Sequence, residues 1–305
     1  MQKLKLYWRA ARPFSFTVSI VPPILATAIA ISENPYLEIK WFYLVLTILG
    51  CWLAHAGSNI FSDYFDFIKN VDRKDTLGGG RVLVEGLITP KDSLLLSLFC
   101  FTAASVIGAF FIAVLQRGIT LIWLVAIGAF LGFFYTAKPF VIKYRALGDL
   151  AVFLAFGPAM CLGAFFVQAN YYSWSPVFYA IPVALLVDAV LHSNNLRDIK
   201  SDKIADITTL PIMIGEENAK KMYYGLIIGA YIAILALIFF AHLTWTSLLT
   251  FVSLPLAIKS IKAVQNKQNT PPEEFATIDA RTAQFHSAFS LLFIVSIIIG
   301  YFINR

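Results

Sequence analysis

The sequence predicts an all-α, polytopic membrane protein with nine transmembrane helices and a cytoplasmic N-terminus. Three observations carry this expectation. Of the 305 residues, 59% are hydrophobic and 14% charged, against about 25% charged in an ordinary soluble domain. Apolar stretches near the ~20 residues that span a bilayer recur along the whole chain. The Lys and Arg residues, sorted by the connection in which they fall, gather on one side.

The first stretch, residues 14 to 32, is too long for the apolar core of a signal peptide. No small-residue cleavage site follows it, so it is expected to stay. The second covers 41 to 60. The third (94 to 115) and fourth (119 to 137) are separated only by a short turn containing Arg117, and the fourth runs into Lys138 and Pro139. The fifth (148 to 168) and sixth (176 to 194) are joined by the uncharged QANYYSWS. The seventh (222 to 241) and eighth (244 to 262) flank His242, and the ninth covers 284 to 303. Pro255 is expected to kink the eighth, because proline removes a helical donor and clashes with the preceding turn. With the N-terminus cytoplasmic, 21 of the 24 Lys and Arg residues fall on one side, leaving Lys40, Arg117 and Arg305 for the other. Omitting any helix would scatter them. The same bias accounts for the net charge of +6 without a nucleic-acid partner, and a multi-pass protein of the cytoplasmic membrane is expected. Cys51, Cys100 and Cys161 sit singly in apolar segments with no metal-ligand spacing and read as core residues.

Two acidic runs, SDYFDFIKNVD and NNLRDIKSD, recur 135 positions apart at the ends of the second and sixth stretches. Carboxylates at a helix C-terminus face the negative pole of its dipole, which costs a few tenths to ~1 kcal/mol each. A positive partner is therefore expected. On a helix Asn59, Asp63 and Asp66 fall at i, i+4 and i+7, and Asn195, Asp198 and Asp202 at i, i+3 and i+7, so each set shares a face. Two oxygen-rich faces suit Mg²⁺, which takes a few carboxylates and leaves its other positions to water and phosphate oxygens. The repetition after parallel helices suggests one domain, residues 1 to 305, built of two pseudo-repeats.

The long connections, 61 to 93, 196 to 221 and 263 to 283, all lie on the cytoplasmic side, which places chemistry there. The first adds Asp72, Asp75 and the run GGGRV at Gly78 to Val82; the second adds Asp206. A glycine run beside an arginine can close on a phosphate, or it can be a flexible turn. Arg73, Lys74, Arg81, Lys143, Arg145 and Arg197 are candidate diphosphate ligands, unless they serve only the charge bias. Carboxylates, cations and an apolar surround are what an isoprenyl diphosphate requires: metal ions and cations for the departing diphosphate, hydrocarbon for the tail. An allylic cation could be stabilised by an aromatic face, and Tyr64, Tyr135 and Tyr144 lie closest to the polar loops.

These residues resemble the UbiA superfamily of intramembrane prenyltransferases, and within it the MenA type that prenylates 1,4-dihydroxy-2-naphthoate in menaquinone synthesis. The likeness runs through RAARPFSFTVSIVPPILATAIA, the first acidic run, GGGRVLVEGLITP, YTAKPFVIKYRALGDL followed by FGPAM, and HSNNLRDIKSDKIADITTLPIMIG. It implies helices around a central cavity, and binding of Mg²⁺ and diphosphate by Asp63, Asp66, Asp72, Asp198 and Asp202. It further implies that Asn59, Asn194, Asn195, Arg197, Lys143 and Tyr135 line the pocket. The implied reaction is transfer of a polyprenyl group from its diphosphate to an aromatic acceptor, with loss of the carboxyl group as CO₂. This sequence departs from the family pattern at Ser62, where Asn is usual, and at Asp206, where Gly is usual.

Asp188 stands apart, because a carboxylate near the bilayer centre costs at least ~2.5 kcal/mol on insertion scales. With His192 one turn on, it is expected either to touch the aromatic acceptor or to form a buried pair between helices. His55 and His286 read as core histidines. Another acceptor of the same superfamily (4-hydroxybenzoate, homogentisate, a chlorin, haem or a glycerol phosphate ether) remains open, although KYRALGDL and HSNNLRD favour the naphthoate. A cation-coupled transporter would also explain repeats and membrane carboxylates, but its site belongs near the midplane, whereas the acidic runs cluster on one side.

Overall fold

The computed structural model describes residues 2–74, 76 and 80–303, with only the backbone of Gln2. Asp75, Gly78, Gly79 and Arg305, named above, lie outside them. The described residues are all-helical, apart from an isolated backbone bridge between Arg145 and Thr208. The helices are α1 (Gln2–Ala10), α2 (Thr17–Glu33), α3 (Trp41–Ile68), α4 (Pro90–Val114), α5 (Ile122–Phe134), α6 (Gly148–Leu154) and α7 (Met160–Ala169). They continue with α8 (Ser175–Tyr179), α9 (Ile181–Ile204), α10 (Leu210–Ile214), α11 (Glu216–Phe240), α12 (Leu254–Gln265), α13 (Pro272–Phe275) and α14 (Ile278–Ile303).

Seven helical stretches among the described residues are long and apolar enough to cross a membrane: Pro13–Glu33, Trp41–Ile68, Pro90–Val114, Gly148–Ala169, Glu216–Phe240, Trp245–Gln265 and Pro272–Ile303. The other two expected stretches are the shorter apolar helix Gly118–Phe134 and α9, which carries Asp188, Arg197, Asp198 and Asp202 along 24 residues. Prolines shape two of these. Pro158 lies in a π-helical turn, Ala155–Ala159, that joins α6 to α7 without breaking the rod; a wider turn tolerates the missing N–H. Pro255 does not kink a continuous helix. A 3₁₀ segment, Trp245–Ser253, precedes it, and it occupies the first turn of α12, where no donor is needed.

α9 packs against α6, α11 and α14, while α3 packs chiefly on α4. Leu186 and Leu196 of α9 join Leu25, Phe165, Tyr223 and Phe289 in one buried cluster. Burial from water cannot drive this packing inside lipid, so close fit must. At Gly157 an added Cβ would stand 2.3 Å from the Ala184 Cβ, so glycine lets the Ala155–Ala159 turn meet α9. α5, by contrast, has no fully buried residue.

The second acidic run lies wholly within helix and the first as far as Ile68, with Lys69 to Asp72 beyond it. α3 extends eight residues past its expected end and α9 ten, because the apolar pattern that marks a span stops before the backbone ladder does. Asp63 and Asp66 occupy the last two turns of α3, and Asp198 and Asp202 those of α9.

Candidate active site

A cavity of about 600 Å³ opens among α3, α4, α5 and the Gly148–Ala169 stretch. Its polar end is lined by Arg12, Asn59, Ser62, Tyr135, Lys143, Asn194 and Asp279, and the rest is mainly apolar, with Thr47, His55, Ser58 and Ser105 among its walls.

The carboxylates of the first run meet internal cations. Asp63 pairs with Arg12 and accepts from the Gly80 N–H at 3.1 Å. Gly80 allows this approach, since a Cβ there would lie 3.2 Å from the Asp63 Oδ2 and 3.1 Å from the Arg9 carbonyl oxygen. Asp66, 2% exposed, accepts from the Lys143 Nζ at 2.5 Å, the Tyr144 hydroxyl at 2.6 Å and the Ser62 hydroxyl at 3.3 Å. Lys143 also donates to the Ser62 Oγ at 3.2 Å, so Ser62 is tied into the group despite its departure from the family pattern. Burial opposes the charge on Arg12 and Lys143, yet Asp63 and Asp66 respectively hold their pKa values above the usual range. The Lys69 ammonium sits 4.1 Å from the Tyr144 ring centroid. Asn59 is anchored by its amide nitrogen to the Ala11 carbonyl at 3.2 Å. Burial, with Asp66 and Asp63 nearby, pushes the Asp72 carboxyl up to about 7.

In the second run Arg197 grips Asp198 with Nε at 2.8 Å and Nη2 at 2.7 Å, and reaches Asp279 with Nη1 at 2.8 Å. It also donates to the Asn194 side chain. Asp202 is buried and lies within electrostatic range of Asp66, Asp72 and Lys143. The two runs thus approach each other beside the polar end of the cavity.

Other expected site residues sit elsewhere. His192, fully buried, holds Asp149 through Nδ1 at 2.7 Å and the Ala219 carbonyl through Nε2 at 3.0 Å. A carbonyl oxygen only accepts, so Nε2 carries a proton. Asp188 lies beside Asp149 with one carboxylate oxygen unpartnered, and Asn195 points its amide toward Asp149 at 3.5 Å. None of these three lines the cavity; they form a buried polar group behind its wall. Arg81 is spent on the Thr76 and Lys74 carbonyls and Glu85, and Arg145 on the Pro139 carbonyl. Asp206 has φ 55°, left-handed backbone that glycine adopts freely and Asp tolerates, which gives its departure from the family pattern a backbone reason.

Three site residues escaped sequence reasoning. In the sequence Arg12 counts only toward the charge bias, and Asp279 and Asp149 carry no motif of their own. Their partners, Asp63, Arg197 and His192, lie 51, 82 and 43 positions away.

The donor chemistry fits a divalent cation: hard carboxylate oxygens of Asp63 and Asp66 face Asp202 and Asp72. Among the described residues no three His, Cys, Asp or Glu side chains converge tightly enough to hold one, because Asp63, Asp66 and Asp198 each engage an internal cation.

Comparison with known proteins agrees with this architecture. The UbiA prenyltransferase family model matches residues 20–289. UbiA prenyltransferase domain-containing protein 1 of Xenopus tropicalis is 31% identical over 98% of this chain and 83% of its own length. A 1,4-dihydroxy-2-naphthoate octaprenyltransferase of Bacillus subtilis is 28% identical over 98% and 94%. In fold, the chain is similar to a UbiA homolog from Archaeoglobus fulgidus bound to GPP and Mg²⁺, with TM-score 0.60 and 18% identity over 95% of this chain and 99% of that one. With the family model covering most of its length and that fold shared end to end, the chain belongs to the UbiA prenyltransferase family and is a multi-pass membrane enzyme that transfers prenyl groups.

Proposed function

We propose that this enzyme transfers a polyprenyl group from its diphosphate to 1,4-dihydroxy-2-naphthoate, with Mg²⁺ dependence and loss of CO₂, as a step of menaquinone synthesis in the cytoplasmic membrane. The carrying observation is the division of the cavity into a polar end beside both acidic runs and an apolar body. The Bacillus subtilis relative supports the naphthoate acceptor. The charge bias supports nine spans, adding Gly118–Phe134 and α9 to the seven, with the N-terminus and both acidic runs cytoplasmic. Repetition of those runs supports a single domain of two pseudo-repeats.

Asp63, Asp66 and Asp72 on one side, and Asp198 and Asp202 on the other, would hold the metal. Bound there, Mg²⁺ would supply positive charge to stabilise the departing diphosphate. Lys143 and Arg12, at the polar end, orient the diphosphate; Asn59 and Asn194 fix its approach. The allylic C–O bond breaks and the diphosphate leaves with the electron pair. Tyr135 presents its ring to the resulting cation, and the apolar walls exclude the water that would quench it. The electron-rich ring then forms the new C–C bond, and departure of CO₂ returns the pair of the C–COO⁻ bond to the ring.

Purified protein supplied with Mg²⁺, one prenyl diphosphate and a panel of acceptors should give a prenylated, decarboxylated naphthol derivative as the dominant product by mass spectrometry. Preferential product from 4-hydroxybenzoate, homogentisate or a glycerol phosphate ether would replace the acceptor and keep the donor half.

A further inference from the structure

Phe111, Leu121 and Val167 line the far end of the cavity's apolar body, and the same three, each 4% or less exposed, belong to a packed cluster with Phe166. The turn between α4 and α5 therefore floors the cavity opposite its polar end. Along α3 the wall runs through Asn59, Ser58, Ala54, Cys51 and Thr47, spacings of one helical face. From Asn59 to Thr47 the helix rises about 18 Å at ~1.5 Å per residue.

Two independent measures give this space a capacity. An extended carbon chain with bonds of ≈ 1.5 Å advances about 5 Å per four-bond isoprenyl unit, so 18 Å takes between three and four. By volume, an apolar cavity of roughly 150 Å³ accepts one six-carbon ring, hence about 125 Å³ per five-carbon unit. The observed 600 Å³ takes four when no acceptor is bound.

One position on the wall is open to change. Gly50 and Gly108 also line the cavity, but a Cβ on Gly50 would stand 3.1 Å from Ile107 and one on Gly108 3.2 Å from Val125, so those glycines serve helix contacts. Gly128 of α5 lines the cavity with nothing within 4 Å of an added Cβ. Helix packing does not require a glycine there.

We infer that Gly128 and the floor residue Leu121 are specificity determinants that set how many isoprenyl units of the donor are bound, about four in this chain. The inference rests on the prenyl-diphosphate half of the proposed function and not on the acceptor. A side chain at 128 shortens the usable space from the side, while loss of the Leu121 side chain deepens it.

The test uses the full chain in lipid nanodiscs and unreactive prenyl thiolodiphosphates of two to six units, with no acceptor present. Wild-type affinity should rise with each unit to about four and then level. In Gly128→Leu the affinity ratio of the four-unit to the two-unit analogue should fall about tenfold or more. In Leu121→Ala the five-unit to four-unit ratio should rise severalfold. A folding defect lowers all affinities together, whereas these are ratios that move in opposite directions in the two variants. Ratios within about twofold of wild type in both variants would overturn the inference. Failure of the wild type to bind any analogue would instead refute the donor half of the proposed function, and failure to prenylate the naphthoate would touch neither.

Discussion

Replacing Lys143 with Met would strand Asp66. Its carboxylate side chain is 2% exposed and that of Lys143 17%, so solvent cannot take the lysine's place. The Tyr144 and Ser62 hydroxyls, at 2.6 and 3.3 Å, remain as donors but bring no positive charge. Breaking a buried pair from one side costs about 3–5 kcal/mol. Protonation sets a ceiling: neutralising a carboxyl of ordinary pKa ≈ 3.9 at pH 7 costs about 4 kcal/mol at 1.36 kcal/mol per unit. A loss of 3–4 kcal/mol is therefore expected at pH 7. At about 2 °C per kcal/mol for a chain of this size, the unfolding midpoint in detergent should drop by about 6–8 °C. Adding Asp66→Asn should restore most of the midpoint. A Lys143→Met midpoint within 2 °C of wild type would refute the buried-pair reasoning.

Asp198→Ala should abolish turnover, measured as diphosphate release, and Asp63→Ala should do the same; activity within about tenfold of wild type in either would remove that carboxylate from the clamp. Asp72, pushed up to about 7 by burial and by Asp66 and Asp63, is protonated below that pH, so the proton competes with metal. Mn²⁺ affinity by electron paramagnetic resonance should therefore fall by up to about tenfold per unit below pH 7 and level above it, and a flat profile from pH 5.5 to 7 would exclude Asp72 as a ligand. Gly80→Ala should cost about 1–3 kcal/mol of stability through crowding against the Arg9 carbonyl and Asp63, read as a lowered unfolding midpoint; an unchanged midpoint would show that the turn simply moves aside.

The fold was legible where hydropathy alone decides it. Seven of the nine expected stretches reappear as long apolar helices, because backbone groups in a bilayer must be satisfied within the segment. The fourth shortened because its start winds as 3₁₀ helix and Lys138–Pro139 follow its end, and the sixth is divided between α8 and α9, whose last ten residues carry charge. The helical faces of Asp63 with Asp66 and of Asp198 with Asp202 were legible as well, since they follow from spacing. Partners were not. The dipole argument required positive charge at these helix ends, but choosing Arg12 and Lys143 among 24 basic residues depends on contacts made 51 and 77 positions apart, whereas Arg197 pairs with the adjacent Asp198. His192 illustrates the same limit: its sequence neighbours point toward the acidic run, while its ring turns to Asp149 and Ala219 on other helices.

Decarboxylative prenyl transfer is tested with purified protein, Mg²⁺, one prenyl diphosphate and 1,4-dihydroxy-2-naphthoate labelled with ¹⁴C in the carboxyl group. One labelled CO₂ should be released per diphosphate released and per prenylated product, and none after chelation of divalent cations. Prenylated product that keeps its label, or full turnover in excess chelator, would rule this reaction out.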